Sequence, residues 1–400
     1  MTDEPVAAAA RPPTRRPRDR REQILAAAAE QFRASGYHNV GVTEIADSVG
    51  ITGPALYRHF RGKQDLLLAT IRSAIDEIAD SLEGVTSLDE ALLVLGSRSI
   101  ERRAIGVLWQ REVVHLPDDT QAELRARSVH AVEPMRAAIA QARPDLGASE
   151  HDLLLWAALA VLASPGYHAV VLDPDRFQTL LIEAAGTLFT TYQPPPANRP
   201  TIAATHGTGT LLPTTRGEAV LTVATRLFAQ HGYQSVGMDD IGAAAGITGA
   251  SVYYHFAGKA AILEAVLTRC LEALMFDLSR AFDVTGDPGE ALDQILQGFV
   301  RVSIQRGTVI GALLDEIVSL PEEAQESIRQ TRRTYVAEWA GLLVRHRPEL
   351  TDAEARVLVH AATAVVSALL RVRRVARRPT LELDLVAIGR AVLGLPRRTA

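Results

Sequence analysis

The sequence contains an internal duplication, and no other feature constrains the fold as strongly. Residues 32–63 match residues 228–259 at a constant offset of 196, and both segments carry the motifs Gly-Ile-Thr-Gly and His-Phe. Farther along, Arg-Pro-Asp-Leu at 143–146 matches Arg-Pro-Glu-Leu at 347–350 at an offset of 204, so the second copy has eight additional residues. Because the matching blocks keep the same order, we predict two copies of one folding unit along nearly the whole chain.

The composition favours helices packed on helices. Hydrophobic residues make up 47% of the 400 residues, whereas aromatic residues make up only 5%. Ala, Leu and Arg are abundant, and all three are strong helix formers. We therefore predict an all-α fold.

Several functional classes lack their sequence signatures. Cys270 is the one cysteine, so no disulfide can form within the chain, and no Cys/His cluster has metal-ligand spacing. The longest apolar run, around residues 157–163, is too short to span a membrane, and the order of Ala and Arg at the N-terminus differs from that of a secretory signal. Neither a Gly-rich phosphate loop nor a nucleophile elbow is present. We expect a cytoplasmic protein that is not an enzyme and has no cofactor, metal or membrane partner.

The first copy opens with a predicted pair of helices. Residues 21–35 have apolar positions at helical spacing, and Gly36 can end this helix in a left-handed conformation. The next helix has Thr43 as a candidate N-cap and Ile45 on its buried face, and Gly50 stops it.

A third short helix follows after a tight turn. Thr52 is its candidate N-cap, and Pro54 lies in its first turn, where proline is tolerated. Leu56 and Phe60 are four residues apart and are predicted to point into the core. Two short helices joined by a turn that contains glycine form the helix-turn-helix pattern.

The second copy repeats this pattern with different exposed residues. Asp239 is the candidate N-cap of its second helix, and Ile241 is predicted to be buried. Thr248 takes the place of Thr52, whereas Val252 and Phe256 replace the two core residues of the third helix. The pattern indicates one scaffold with two different exposed surfaces.

At this point the sequence resembles the TetR family of bacterial regulators. The resemblance is carried by Ile-Ala-Asp-Ser-Val-Gly-Ile-Thr at 45–52, Leu-Tyr-Arg-His-Phe at 56–60 and Gly-Lys-Gln-Asp-Leu-Leu at 62–67. The second copy has Val-Tyr-Tyr-His-Phe at 252–256 and Gly-Lys-Ala-Ala-Ile-Leu at 258–263. The tandem arrangement is similar to double TetR-type regulators of actinobacteria, of the kind associated with mammalian-cell-entry lipid or sterol uptake operons.

The resemblance implies a transcriptional regulator that binds operator DNA and releases it when a small hydrophobic, lipid- or sterol-like effector enters its C-terminal domain. Members of the family act as homodimers, but this chain already holds two copies. It is therefore expected to be a monomeric pseudo-dimer or a homodimer of such chains. Transcriptional activation and a ligand-independent role in DNA organisation stay open as alternatives to repression.

The tandem interpretation divides the chain into six segments. Residues 193–215, rich in Pro, Gly and Thr, have the composition of a linker. The predicted segments are a basic, flexible arm (1–20), a first helix-turn-helix domain (21–66), a first regulatory helical domain (67–192), the linker (193–215), a second helix-turn-helix domain (216–262) and a second regulatory helical domain (263–400).

The resemblance also implies which residues contact DNA. The recognition helices would be residues 52–59 and 248–255, each lying in a major groove. Lys63 and Lys259 begin the following helices, where backbone N–H groups and a cation can hold a phosphate. The predicted DNA-binding residues are Thr43, Thr52, Gly53, Pro54, Ala55, Tyr57, Arg58, His59 and Lys63 in the first copy, and Thr248, Gly249, Ala250, Ser251, Tyr253, Tyr254, His255 and Lys259 in the second.

Charge distinguishes the two copies, although the whole chain has a formal net charge of −5. Residues 11–63 contain ten basic and five acidic residues, whereas residues 214–259 contain three of each. Counterion release on DNA is therefore expected mainly from the first copy, with the arm at 11–21 following the DNA backbone or a minor groove. Because Arg58 is replaced by Tyr254, we also expect an operator with two unlike half-sites.

The remaining residues of each copy are predicted to form the regulatory domains. Residues 63–82 and 259–282 read as long connecting helices, and two apolar helices end each half. We expect these terminal pairs to join in a four-helix bundle within the chain. The copies differ at Trp156 and His360, so one half is a candidate ligand site and the other a structural element. Candidate effector-binding residues are Trp109, Arg111, Glu112, His115, Trp156 and Tyr167, and in the second half Asp315, Glu316, Trp339 and His360.

Overall fold

The chain was analysed as a computed structural model. It describes residues 17–101, 103–108, 112–113, 116–196, 212–305 and 316–396. Helices dominate these residues, and no β-strand occurs among them. The prediction of an all-α fold is therefore confirmed.

Each copy begins with three helices that we call a head. Positive φ angles at Gly36 (78°) and Gly232 (79°) end the first helix of each head, and Gly50 (68°) and Gly246 (71°) end the second. Glycine adopts this left-handed conformation without the steric cost that a Cβ brings. The first head contains α1 (Pro17–Ser35), α2 (Val42–Ser48) and α3 (Gly53–Tyr57), and the second contains α11 (Arg216–His231), α12 (Met238–Ala244) and α13 (Gly249–Val252).

The second helix of each head starts earlier than predicted. Gly41 is the N-cap of α2, and its backbone N–H donates to Glu44 Oε2 over 2.9 Å. In the second head Gly237 is the N-cap of α12 and donates to Asp240 Oδ2 over 2.8 Å. The prediction of Thr43 and Asp239 as N-caps was therefore wrong; a carboxylate three residues after a glycine holds the helix start instead.

Helix α1 also starts before its predicted first residue. It begins at Pro17, so the last residues of the predicted arm are helical. Arg20 donates from Nη1 to the carbonyl oxygen of Val49 over 3.0 Å, and Arg21 lies over the ring of Phe60. These contacts tie the start of α1 to the rest of the first head, whereas the arm before Pro17 lies outside the described residues.

The helices that follow each head form the regulatory domains. The connecting helix of the first half spans the predicted residues, and its counterpart extends two residues past the predicted end. The first domain contains α4 (Lys63–Leu82), α5 (Leu88–Glu101), α6 (Ala104–Val107), α7 (Asp118–Ala131), α8 (Glu133–Ala142), α9 (Ala148–Ala163) and α10 (Pro174–Thr191). The second contains α14 (Lys259–Val284), α15 (Pro288–Gln305), α16 (Glu322–His346), α17 (Asp352–Arg371), α18 (Arg373–Ala376) and α19 (Leu381–Leu393).

A four-helix bundle joins the two halves. Helix α9 packs along α17, and α10 packs along α19, so each half contributes one helix to each pair. Ala157, Ala158, Ala361 and Ala362 are fully buried, and their small side chains let the helices approach closely. The predicted intramolecular bundle is confirmed, and one apolar core runs from the first regulatory domain into the second half.

Ion pairs across the bundle have nearly two-fold symmetry. Glu150 and Glu354 are equivalent in the two copies, and each lies in the first turn of its helix. Glu150 Oε1 accepts from Arg378 Nη2 over 2.9 Å, and Glu354 pairs with Arg176. Each half therefore offers the same carboxylate to an arginine of the other half, which relates the halves as the subunits of a dimer are related.

A buried polar cluster breaks this symmetry. Asp384 is fully buried on α19 and accepts hydrogen bonds from Tyr192 (2.6 Å), Arg378 (2.8 Å) and Thr380 (2.8 Å). Burial and the hydrogen bond to Asp384 raise the pKa of Tyr192. Leu180 occupies the position equivalent to Asp384 in the first copy. The cluster therefore occurs on one side of the bundle and joins unlike partners.

One described helix is long and apolar enough to cross a membrane. Asp352–Arg371 meets this criterion by length and composition, and 61% of its apolar stretch is buried inside the protein. In this structure the helix is α17, a core element of the bundle. Burial against other helices accounts for its apolar composition.

Two half-buried histidines face each other where the halves meet. The rings of His168 and His360 stack with centroids 4.5 Å apart and an interplanar angle of 18°. Burial and, to a smaller extent, the positive charges of Arg103 and Arg332 together lower the pKa of His168 to about 4. Burial also lowers the pKa of His360 well below its usual value. The folded protein therefore keeps both rings neutral at pH 7.

These pKa values predict acid sensitivity of the contact between the halves. In the unfolded chain each histidine binds a proton near pH 6.5, whereas in the folded chain these two histidines bind one only at lower pH. The free energy of unfolding is therefore highest above about pH 6.5 and falls as the pH drops towards 4. For His168 we expect the free energy of unfolding to fall by about 2 kcal/mol between pH 7 and pH 5, measured by urea denaturation. H168L should reduce this dependence by the contribution of His168 and leave that of His360, whereas H130Q, at an exposed histidine, should retain it in full. Equal stability at both pH values would contradict the prediction.

Candidate nucleic-acid interface

The third helix of the first head presents a compact exposed surface. Leu56 and Phe60 are buried and hold α3 on the core of the head. Because residues between them turn outward, Tyr57 is 55% exposed, and Arg58 and His59 are also exposed. Thr52 and Pro54 are exposed at the start of the helix, whereas Gly53 and Ala55 are half-buried.

The second head has the same architecture and a different surface. Val252 is fully buried, and Phe256 is half-buried against the core. Tyr253 is 58% exposed and Tyr254 is 91% exposed, beside the exposed His255. At the helix start, Thr248 and Ala250 are exposed, and Gly249 and Ser251 are half-buried.

Thr52 and Thr248 are the N-cap residues of α3 and α13, as predicted. Thr248 Oγ1 accepts from the backbone N–H of Ser251 over 3.2 Å. The side chain of Thr52 makes no capping bond, so the two heads differ in how the helix start is held.

The lysines that begin the connecting helices fold back onto their own heads. Lys63 Nζ donates to the carbonyl oxygen of His38 over 3.1 Å and lies 4.6 Å from the ring centroid of Tyr37. Lys259 Nζ donates to the carbonyl oxygen of Tyr233 over 3.0 Å and lies 4.5 Å from the centroid of its ring. Each lysine thus ties the start of the connecting helix to the turn after the first helix of its head.

The two heads differ in charge beside the recognition helix. Thr43 and Asp239 are equivalent, and both are exposed at the start of the second helix. Asp239 lies against Gly249, at the N-terminus of α13, where a negative charge is favourable. The second head therefore carries a carboxylate where the first head carries a hydroxyl.

Glu112 connects the first regulatory domain to its head. Its side chain is buried, and Oε2 accepts from the backbone N–H of Tyr37 over 3.1 Å. Burial and the charge of Glu112 raise the pKa of Tyr37. In the second copy Gln234 Nε2 donates to Ser319 Oγ over 3.3 Å, which also joins the head to its regulatory domain. A displacement of the segment around Glu112 would therefore act directly on the first head through this hydrogen bond.

A large cavity lies between the two halves. Its volume is about 1180 Å³, and apolar side chains of α4, α5 and α9 form much of its wall. The turns after α1 and α11 close it on the side of the heads, and residues 371–374 border it from the second half. A polar groove of about 820 Å³ lies between α1, α4 and α5 and is lined by arginines and carboxylates.

The structure brings together two of the predicted effector-binding residues. Glu112 and Trp156 line the large cavity. Trp339 is fully buried beside Phe299 and Tyr335, and His360 is stacked on His168, so neither lines it. Tyr167 donates to the carbonyl oxygen of Gly106 over 3.5 Å and also lies outside the lining. Trp109, Arg111, His115 and Asp315 fall outside the described residues, and Glu316 begins a 3₁₀ turn whose first side chain is not described.

Comparison with family models gives two matches to the same DNA-binding domain. The model described as bacterial regulatory proteins, tetR family, matches residues 24–70 and again residues 220–266. The model described as tetracyclin repressor-like, C-terminal domain, matches residues 285–371. Both heads are therefore TetR-family DNA-binding domains, because each matches the N-terminal model separately.

Curated relatives of the chain are named for different activities. It is 45% identical over 69 residues to the HTH-type transcriptional activator FasR of Mycolicibacterium smegmatis, covering 17% of this chain and 32% of that protein. It is 34% identical over 110 residues to the HTH-type transcriptional repressor KstR2 of the same species, covering 26% of this chain and 54% of that protein. It is 30% identical over 93 residues to the nucleoid occlusion factor SlmA of Vibrio atlanticus, covering 20% and 47%. The chain thus spans between a third and about half of the length of these relatives.

Solved structures of single-copy family members align with less than half of the tandem chain. Examples are a TetR-family transcriptional regulator of Bordetella parapertussis (TM-score 0.39, 17% identity, 44% of this chain and 94% of that chain) and KstR2 of Mycobacterium tuberculosis (TM-score 0.38, 23% identity, 45% and 94%).

Sequence reasoning missed the contacts that join each head to its regulatory domain. A sequence pattern could have indicated the stacking of Lys63 on Tyr37, since Gly-Tyr and Gly-Lys recur together in both copies. No sequence pattern indicates the hydrogen bond from Tyr37 to Glu112, because these residues are 75 positions apart and no local pattern pairs them.

The close packing inside the second head predicts a selective response to one methyl group. A Cβ on Gly242 would lie 2.8 Å from the backbone nitrogen of Gly249, whereas the first head already has Ala46 at the equivalent position. G242A should displace α13 and destabilise the second head by about 1–3 kcal/mol, because overpacking strains the backbone. Hydrogen exchange should show faster exchange in α12 and α13 with no change in α2 and α3. G53A is the control, since its Cβ would meet no atom closer than 3.8 Å; equal effects of both variants would contradict the prediction.

Proposed function

We propose that this chain is a transcriptional regulator that binds operator DNA with both heads at once. The observation that carries the proposal is the pair of exposed recognition helices, α3 and α13, held on one bundle-joined chain. In helix-turn-helix proteins such helices enter successive major grooves about 34 Å apart. The tandem chain supplies both helices itself, so one chain suffices for one operator.

The proposed contacts divide into base readout and phosphate contacts. Arg58 is the candidate for bidentate recognition of guanine, because its guanidinium is exposed at the end of α3. Tyr57, His59, Tyr253 and His255 are exposed beside it or at the equivalent positions and are proposed to contact phosphates or base edges. The proposed role of Lys63 and Lys259 is to position the helix start, since their ammonium groups already bind backbone carbonyls.

An asymmetric operator is proposed because the two reading surfaces are unlike. Arg58 in the first head corresponds to the exposed Tyr254, and Pro54 corresponds to Ala250. Asp239 further lowers the affinity of the second head for phosphate. The basic residues of the first head and its arm are proposed to supply most of the salt-dependent affinity.

The large cavity is proposed to hold a small hydrophobic effector that releases the operator. Its apolar wall suits a lipid- or sterol-like molecule, and Glu112 connects that wall to the first head. The resemblance to regulators of mammalian-cell-entry lipid or sterol uptake operons makes this ligand class the first to test. Repression in the cytoplasm is the proposed mode of action, with no enzymatic step and no membrane partner.

A role in DNA organisation is the second candidate, because one matched relative is a nucleoid occlusion factor. It is distinguished by DNA binding with strong salt dependence and little sequence preference. Transcriptional activation is distinguished from repression by the position of the operator relative to the promoter.

Selection of bound sequences from a random library, followed by footprinting, tests operator asymmetry. We expect one protected site with two unlike half-sites and, by native mass spectrometry, one chain per site. A perfect inverted repeat occupied by two chains would overturn the single-chain pseudo-dimer, and the absence of sequence preference would favour the DNA-organising role.

Substitution of equivalent residues should separate the half-sites. R58A should weaken operator binding about 10- to 100-fold through loss of about 1–3 kcal/mol, and relax the sequence preference of one half-site only. Y254A should affect the other half-site, as measured by binding to operators mutated in each half. R329A, which removes an exposed arginine of the second regulatory domain, is the control and should bind as the wild type does. Loss of preference in both half-sites from either variant would contradict the assignment.

A further inference from the structure

We infer that the chain binds one amphiphilic anion, in the large cavity between its halves, and that this ligand contacts both heads. The inference rests on the proposed function and specifies the site, chemical class and stoichiometry of the effector. Three separate observations support it: the reach of the cavity, the charge of its wall, and the filling of the equivalent space in the second half.

The cavity reaches equivalent turns of both heads. Tyr37 lines it from the first head, and Tyr233, its equivalent, lines it from the second. Each tyrosine ring also contacts the ammonium group of the lysine that begins the connecting helix, which is Lys63 in one half and Lys259 in the other. A molecule seated there therefore touches the two junctions that set the position of each recognition helix.

The wall of the cavity combines an apolar surface with arginines. Ile71, Ile75 and Trp156 are among its apolar residues. Arginines border it from both halves, including Arg103 and Arg125 of the first half. The described lining residues include seven arginines and only three carboxylates, those of Glu112, Asp118 and Asp152. An apolar chain or ring system with a carboxylate or phosphate head group matches this distribution, because arginine binds both anions in a bidentate manner.

The second half fills the corresponding space with aromatic side chains. Leu95 and Ala131 line the cavity in the first half, and their equivalents at the offset of 204 are Phe299 and Tyr335. Phe299 and Tyr335 pack against the fully buried Trp339 at centroid distances of 6.2 and 5.8 Å. The side chains that would need to be small for a second cavity are therefore large and buried.

One pair of contacts and one repeated sequence support this residue equivalence. Gln121 donates to the carbonyl oxygen of Leu116 over 2.8 Å, and Gln325 donates to that of Leu320 over 2.8 Å. The helices that carry Ala131 and Tyr335 thus start at matching residues. In α5 and α15, Ser-Ile at 99–100 and at 303–304 repeats at the same offset of 204, which makes Phe299 the equivalent of Leu95.

The stoichiometry is tested with decyl phosphate as the anionic probe and 1-decanol as its neutral match, both below the concentrations at which they aggregate. Isothermal titration of the full chain without DNA should give one saturable site for decyl phosphate and at least ten-fold weaker binding of decanol. Two sites per chain, no saturable site, or equal binding of both probes would overturn the inference.

Variants locate the site. A131Y transfers the aromatic residue Tyr335 of the second half into the first, and should weaken decyl phosphate binding at least ten-fold. R125Q removes an exposed charge outside the core, and should weaken binding of the anion while leaving that of decanol unchanged. F299L, in the second half, is the matched control and should bind as the wild type does. Unchanged binding by A131Y and R125Q, or loss of binding in F299L alone, would place the site elsewhere.

Contact of the ligand with both heads is tested by a separate measurement. Hydrogen exchange with and without decyl phosphate should show changes in residues 36–39 and in residues 230–234 together. A change confined to one head would contradict the bridging position. Operator binding of each variant without any probe is measured separately, so a failure to bind DNA would overturn the proposed function and leave the ligand result intact.

Discussion

The four-helix bundle formed by α9, α10, α17 and α19 is the constraint on which the rest of the structure depends. It buries alanine and leucine side chains from both halves in one core, and burial of apolar surface is the main favourable contribution to folding. Because the bundle joins the halves inside one chain, it also sets the relative position of the heads. A dimer of separate subunits reaches the same state only at sufficient concentration, whereas here the linker keeps both partners together.

Joining the halves in one chain permits differences that a homodimer excludes. A symmetric dimer presents identical surfaces on both subunits, so any residue that contacts one half-site also contacts the other. Here Asp384 forms a buried cluster on one side of the bundle, and Leu180 occupies the equivalent position. The recognition helices differ in the same way, with Arg58 in one head and Tyr254 in the other. Asymmetry in the bundle, the heads and the regulatory domains thus has one origin, which is the joining of both halves in one chain.

The contacts between heads and regulatory domains suggest how the ligand state would reach the DNA. Glu112 accepts a hydrogen bond from the backbone of Tyr37, and the ring of Tyr37 carries Lys63 at the start of the connecting helix. These groups form a short continuous path from the cavity wall to the start of the connecting helix, which follows the recognition helix in the chain. Coupling through such a path needs only small displacements, because packed helices shift as rigid elements.

The sequence by itself determined the duplication, the all-α fold, the connecting helices and the buried face of each recognition helix. These features are local or repeated: helical periodicity places Leu56 and Phe60 on one side, and glycines end helices wherever a positive φ is required. Only the tertiary structure decided that Glu44 and Asp240 hold the N-terminal turns, that Trp339 is core, and that Glu112 meets Tyr37. The physical reason is that burial and long-range hydrogen bonds depend on which helices pack together, and periodicity within one helix carries no information about its neighbours.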